Sequence, residues 1–218
     1  MTNPWTIIYY SHTDPIHSDH IRASNPDAQL ILLDTSNDLS RVEAFGRGDY
    51  LLRKALKSKF SLIAHDNVLL VEWDVLITAT LPDVPVRGLQ AMTVATEESA
   101  PDWMWWSHFK RLPPALRTAK IGVVPFGFLA IERSSLQSIL DPHFDALFEL
   151  DIFSEVRFAA VSHFCGIGVR ELDKSVFLPE RLLRSTREDE VAAFEARYAG
   201  SYLTAPGFYH PVKHRVTK

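Results

Sequence analysis

The sequence predicts an α/β fold with a mostly parallel central sheet flanked by helices. Two observations predict it. Short β-branched and aromatic runs alternate along the chain with stretches whose apolar residues recur at helical spacing. Polar clusters stand where the first, second and fourth of these strand-like runs end, the place where open α/β sheets bind ligands.

Trp5 to Tyr10 reads as the first strand and ends in Ser11-His12-Thr13-Asp14-Pro15. Gln29 to Leu33 reads as the second and ends at Asp34-Thr35-Ser36-Asn37-Asp38. Leu39 to Phe45 and Asp49 to Leu56 have helical spacing. Phe60 to Ala64 reads as a short strand. Val68 to Ile77 is the strongest strand, with Glu72-Trp73-Asp74 inside it. Leu89 to Ala95 follows as another. Ile121 to Val124 and Phe128 to Ile131 flank a Pro-Phe-Gly turn. Ser134 to Leu140, Phe153 to Phe164 and Glu188 to Tyr198 read as helices. The tail from Ser201 to Lys218 is aromatic, proline-containing and basic.

With 218 residues the chain suits a single domain over 1–218, large enough to bury a full core. Hydrophobic residues are 46% and charged residues 23%, a globular balance that excludes disorder over most of the length. The formal net charge is -4, so no basic face for nucleic acid is advertised. A lone cysteine, Cys165, excludes an intrachain disulfide and a cysteine zinc cage. No secretory signal and no transmembrane segment is visible, so the expected compartment is the cytoplasm, with association at a membrane surface left open. No glycine-rich phosphate loop follows the first strand, because glycine is absent before Gly46.

Two features point to chemistry. In an extended segment Glu72 and Asp74 share a face, and two buried carboxylates repel unless a cation lies between them. A hard divalent ion such as Mg²⁺ or Mn²⁺ prefers such oxygen ligands. The bland alternative is a strand end turning two ordinary acids into solvent. The second feature is Phe208-Tyr209-His210-Pro211-Val212-Lys213, where an imidazole and an ammonium stand three residues apart. An imidazole can ligate Mn²⁺ and a lysine can hold a diphosphate as a point charge. The alternative is a solvated basic tail.

Together, Glu72-Trp73-Asp74, His210-x-x-Lys213 and Phe126-Gly127-Phe128 before the Ser134 helix make the chain resemble the GT-A fold glycosyltransferases. These are Rossmann-like enzymes that use nucleotide sugars. The resemblance departs from the commonest Asp-x-Asp pattern, since the first acid is Glu. It implies transfer of a sugar from a nucleoside diphosphate donor to a hydroxyl of an acceptor glycan, lipid or small molecule, assisted by Mn²⁺ or Mg²⁺. It also implies roles for residues. Asp74 is the main metal ligand, Glu72 its partner and His210 the third ligand. Lys213 contacts the diphosphate. Ser11, His12 and Thr13 lie beside the base, and Asp34 near base or ribose. Arg47 and Asp49 precede the helix that faces the nucleotide sugar. Glu155 is the candidate base, with Asp151 competing. For both acids the alternative is a complement to the helix dipole. The tail is expected to order on donor binding, so that truncation before Tyr209 spares the melting temperature.

Trp103, Trp105 and Trp106 form either an acceptor platform or core packing. Two rival functions are weighed. One is a nucleotide-binding module of the same fold without turnover. The other is a metallohydrolase using His12, Asp14, His17, Asp19 and His20, although Pro15 stands where its first histidine ligand belongs.

Overall fold

The computed structural model of the chain describes residues 4–11, 14–35, 46–185 and 187–217. The helix expected over Leu39 to Phe45, and the candidates His12 and Thr13, lie outside the described residues.

The first strand, β1 (Trp5–Ser11), pairs in parallel with β2 (Gln29–Asp34) and with β3 (Asn67–Glu72). Helix α1 (Ser18–Ser24) connects β1 to β2, and α2 (Gly48–Lys57) precedes β3. After β3 come β5 (Leu89–Thr96) and β6 (Ile121–Glu132), and then the short edge strand β7 (Val169–Glu171). The sheet order is β2-β1-β3-β6-β5-β7. Only β6 runs against its neighbours, so the sheet is mostly parallel, as the sequence predicts.

Alternate residues of the central strands fill separate cores on the two faces of the sheet. Ile8, Leu70, Leu129 and Ile131 point into one core, Ile7, Leu69, Val71 and Phe128 into the other. Burial on both faces is why these strands read as unbroken apolar runs. The first core is closed by α2, by α4 (Arg133–Ile139) and by α6 (Ser154–Phe164), through Leu52, Leu136 and Val156. The second is closed by α1, by α7 (Lys174–Phe177) and by a two-stranded sheet of β4 (Leu76–Ile77) and β8 (Phe208–Tyr209). Two short helices, α3 (Trp106–Phe109) and α5 (Asp145–Phe148), and the longer α8 (Glu188–Tyr198) complete the layers. Among the described residues no helix is long and apolar enough to cross a membrane.

Four expectations are corrected. Phe60–Leu62 forms a 3-10 turn rather than a strand, because none of its residues is buried and none finds a ladder partner. The run Val68 to Ile77 is not one strand. It breaks after Glu72, where the amide of Val75 donates to the carbonyl of Glu72 (3.1 Å), and β4 leaves for the second sheet. Pro125-Phe126-Gly127 does not end a strand. β6 runs through it with a register irregularity, Ala91 facing Leu129 and Thr93 facing Val124. The tail is not waiting for a ligand either. Phe208, Tyr209 and Val212 are at most 1% exposed, so the segment is part of the core.

Candidate active site

β3 delivers Glu72 at its carboxyl end, and the turn that follows delivers Asp74 two residues later. The Glu72 carboxyl fits between two glycines. A Cβ on Gly48, at the start of α2, would come within 2.9 Å of Oε1, and one on Gly127 of β6 would collide with Oε2. Both glycines are here for close approach rather than for backbone freedom. Burial, and then the negative charge of Asp74, raise the pKa of Glu72. Asp74 is 8% exposed, and its buried Oδ1 has no hydrogen-bond partner. A buried carboxylate oxygen left bare is costly unless something positive meets it.

His210 arrives from the far end of the chain. Pairing of β4 with β8 carries it across the turn: the Val212 amide donates to the Asp74 carbonyl (2.7 Å). Nδ1 of His210 lies 2.7 Å from the Leu183 carbonyl oxygen, which can only accept. In the neutral imidazole the proton therefore sits on Nδ1, and Nε2 presents its lone pair. Nε2 is 3.6 Å from Asp74 Oδ1. Glu72, Asp74 and His210 offer ligand atoms all within 4.8 Å of one another. Two ligands about 2.1 Å from one cation lie within about 4.2 Å of each other, so the Asp74–His210 separation already fits. Two carboxylates and one imidazole are a donor set that could hold a divalent cation.

Beside this cluster stands Glu155, the second residue of α6. It is 8% exposed, and burial pushes its pKa up to about 8. The Phe126 amide donates to it (3.3 Å) and partly opposes that rise, while the charge of Glu72 adds to it. The start of α6 is pinned. Ser154 donates from its amide and from its hydroxyl to the Gly46 carbonyl, both at 2.7 Å. Three residues from Ser154, Arg157 grips Asp49 of α2 through two bonds, Nε to Oδ2 at 2.7 Å and a second at 2.5 Å. Both side chains are 0% exposed.

These groups open onto one cleft of about 240 Å³. It is lined by Tyr10, Glu72, Asp74, Glu155, His210 and Lys213, and also by Arg184, Ser185, Phe126 and Phe153. The structure thus brings together five of the sequence-derived candidates. Ser11 and Asp34 line a second cavity of about 330 Å³ at the ends of β1 and β2, with Tyr9, Asp14 and Leu32. Asp49 faces Arg157 and not the cleft. Arg47 lies over the Tyr50 ring at 4.4 Å. Asp151, the competing base candidate, is 80% exposed and pairs with Arg111 at 3.0 Å.

Other sequence features settle into structural places. Trp106 is buried, and Trp103 packs on Gly122, where a Cβ would collide with its ring. Trp105 stacks on Phe153 at 3.9 Å. Among the described residues, His17 and His20 belong to no cluster of potential metal ligands. Their Nε2 atoms lie 2.7 Å from the carbonyls of Val212 and Val216, so they strap the C-terminal segment to α1.

Tyr10, Gly48, Arg184 and Ser185 are among the cleft residues that escape sequence reasoning. Of these, Gly48 carries a prior signal, as one of only 9 glycines in the chain.

No family model matches the sequence, and no curated protein does. Remote likenesses exist among solved structures. Glucosyl-3-phosphoglycerate synthase from Mycobacterium tuberculosis, solved with Mn²⁺ and uridine-diphosphate-glucose, is 14% identical over 93% of this chain and 78% of its own, with a TM-score of 0.41. The galactosyltransferase LgtC, solved with donor and acceptor sugar analogs, is 13% identical over 87% of this chain and 82% of its own, with a TM-score of 0.43. The glycosyltransferase GlyE of Streptococcus pneumoniae is 10% identical over 98% of this chain and 55% of its own, with a TM-score of 0.45. Likenesses this remote assign no activity to the chain.

Proposed function

We propose that this chain is a GT-A-like, metal-assisted glycosyltransferase, a single domain over residues 1–218. It moves a sugar from a nucleoside diphosphate donor to the hydroxyl of a glycan, lipid or small-molecule acceptor. The observation that carries the reading is the convergence of Glu72, Asp74 and His210 at the carboxyl end of β3. It supports a cation site where open α/β sheets bind ligands.

Glu72, Asp74 and Nε2 of His210 would hold Mn²⁺ or Mg²⁺. When bound, that cation stabilises the negative charge that develops on a leaving diphosphate. The Lys213 ammonium, at the rim of the same cleft, adds a fixed positive charge there. Glu155 lines the same cleft and is held neutral near pH 7 by its burial. Once ionised it is a strong base for a carboxylate, able to take the proton of an acceptor hydroxyl. Ser11 and Asp34, which line the second cavity, would contact the base or ribose of the donor in this reading.

Thermal-shift and calorimetric titration of nucleoside diphosphates and nucleotide sugars, with and without Mn²⁺, test this on wild type and Asp74→Asn. Stabilisation by one nucleotide class, dependent on both Mn²⁺ and Asp74, is expected. Release of nucleoside diphosphate from the matching donor is then expected in a chromatographic assay. Binding without any release would leave a nucleotide-binding module. Absence of nucleotide binding under every metal would overturn the proposal.

A further inference from the structure

Arg181 and Arg184 are three residues apart, and their guanidinium groups meet opposite fates. Arg181 is spent on the fold. Its NH1 donates to the carbonyl of Pro206 (2.7 Å), and the guanidinium lies over the Tyr209 ring at 5.4 Å. Arg184 has no ion pair and no hydrogen bond among the described residues, although it lines the cleft. Lys213 is in the same condition on the same rim.

Arg184 is also carried by a fixed piece of backbone. The Leu183 amide donates to the His210 carbonyl (2.8 Å), and the His210 amide donates to the Arg181 carbonyl (3.0 Å). The carbonyl of Leu183 is the one that orients the His210 imidazole. The segment that aims the third ligand therefore also presents Arg184 to the cleft.

Charge counting says what Arg184 faces. Glu72 and Asp74 together cancel a divalent cation. Lys213 and Arg184 then leave roughly two positive charges without a partner among the described residues. A diphosphate linking a nucleoside to a sugar carries roughly two negative charges. Arg also has the planar fork that bonds two phosphate oxygens at once, which Lys lacks. We infer that Arg184, which no motif marks, is the second diphosphate-binding cation of this cleft, acting together with Lys213. The inference rests on the proposed donor chemistry.

Calorimetric titration of inorganic pyrophosphate and of inorganic phosphate, in the presence of Mn²⁺, tests it without knowledge of the base or sugar. The proteins are wild type, Arg184→Gln, Arg184→Lys and Asp74→Asn. Arg184→Gln is expected to weaken pyrophosphate about tenfold and phosphate by less, with Arg184→Lys between them. Mn²⁺ affinity alone should stay at the wild-type value in both Arg184 variants, because Arg184 ligates nothing. Pyrophosphate binding that needs Mn²⁺ and Asp74 but is unchanged in Arg184→Gln would overturn this inference and leave the proposed function standing. Failure of wild type to bind pyrophosphate would overturn both.

Discussion

The wall that carries Glu155 and the strap that carries His210 line one cleft, but different forces hold them. The wall is α2 against α6, joined by a side-chain ion pair, Asp49–Arg157, that no water reaches. The strap is held by main-chain bonds: Val212 to Asp74, His210 to Arg181 and Leu183 to His210. Two histidine side chains, His17 just before α1 and His20 within it, add to the strap by bonding its carbonyls. A wall built on one buried charge pair is vulnerable to one substitution. A strap built on backbone is insensitive to most single side chains, and it fails when its chain or its buried anchors are removed.

The largest effect is expected from removing the strap. Truncation before Tyr209 deletes Tyr209 and Val212, both fully buried, and leaves Leu76 without its strand partner. Each such side chain contributes about 1.5–3 kcal/mol. The His17 imidazole also loses the carbonyl it bonds, at about 1–3 kcal/mol for a stranded buried group. A loss of about 4–9 kcal/mol follows, which in a chain of this size is a fall of at least about 8 °C. Thermal unfolding followed by circular dichroism measures it. A truncated protein that melts within about 2 °C of the full chain would show the strap to be an appendage.

Next in size is the wall. Arg157→Met leaves the Asp49 carboxylate buried and alone, a loss of about 3–5 kcal/mol. Replacing both partners, Asp49→Leu with Arg157→Met, should recover most of it, since no charge is then stranded. Urea denaturation of the two single variants and the double variant decides this. Additive losses in the double variant would mean that the pair acts through packing and not through charge.

How far each region is legible in the sequence follows the same division. β1, β2, β3 and α6 stand out because unbroken apolar runs and helical spacing report burial directly. Glu72-Trp73-Asp74 and His210 stand out because acids and imidazoles are conspicuous beside such runs. The strap's architecture is hidden. β4 and β8 have two residues each, and their pairing joins Leu76 to Tyr209 across most of the chain. No local pattern announces a contact of that range. Asp49 illustrates the same limit. An acid in the first turn of a helix reads as a dipole partner or a ligand contact, and only the fold brings Arg157 onto it. Arg184 and Arg181 look alike in sequence. What separates them is which one the Pro206 carbonyl occupies.

The smallest of these effects concerns Glu155 and couples the wall to the chemistry. Its pKa is about 8 in the folded protein against 4.5 for the free side chain, because burial disfavours the charged form. Between those values the unfolded chain has released the proton and the folded one has kept it. Wild-type stability therefore falls as pH rises through this window, by linkage. Glu155→Gln keeps an oxygen that can accept from the Phe126 amide and cannot ionise. The variant should match wild type near pH 4.5 and become the more stable of the two as pH approaches 8. Carried in full, the difference between 4.5 and about 8 is worth about 5 kcal/mol, and relaxation with water entry on ionisation reduces the expected gain to about 2–3 kcal/mol, or roughly 4–12 °C. Glu72 is present in both proteins, so its own shift cancels to first order. Sugar transfer should move the opposite way. In wild type the rate should climb with pH as Glu155 ionises, and the Gln variant should fall short of it by about a hundredfold or more near pH 8, with the gap closing as pH falls. Melting curves and rates for the two proteins across pH 4.5–8.5 measure both halves. A Gln variant that is stabilised at pH 8 yet keeps wild-type transfer would leave Glu155 a buried acid of the wall and move the search for the base elsewhere in the cleft.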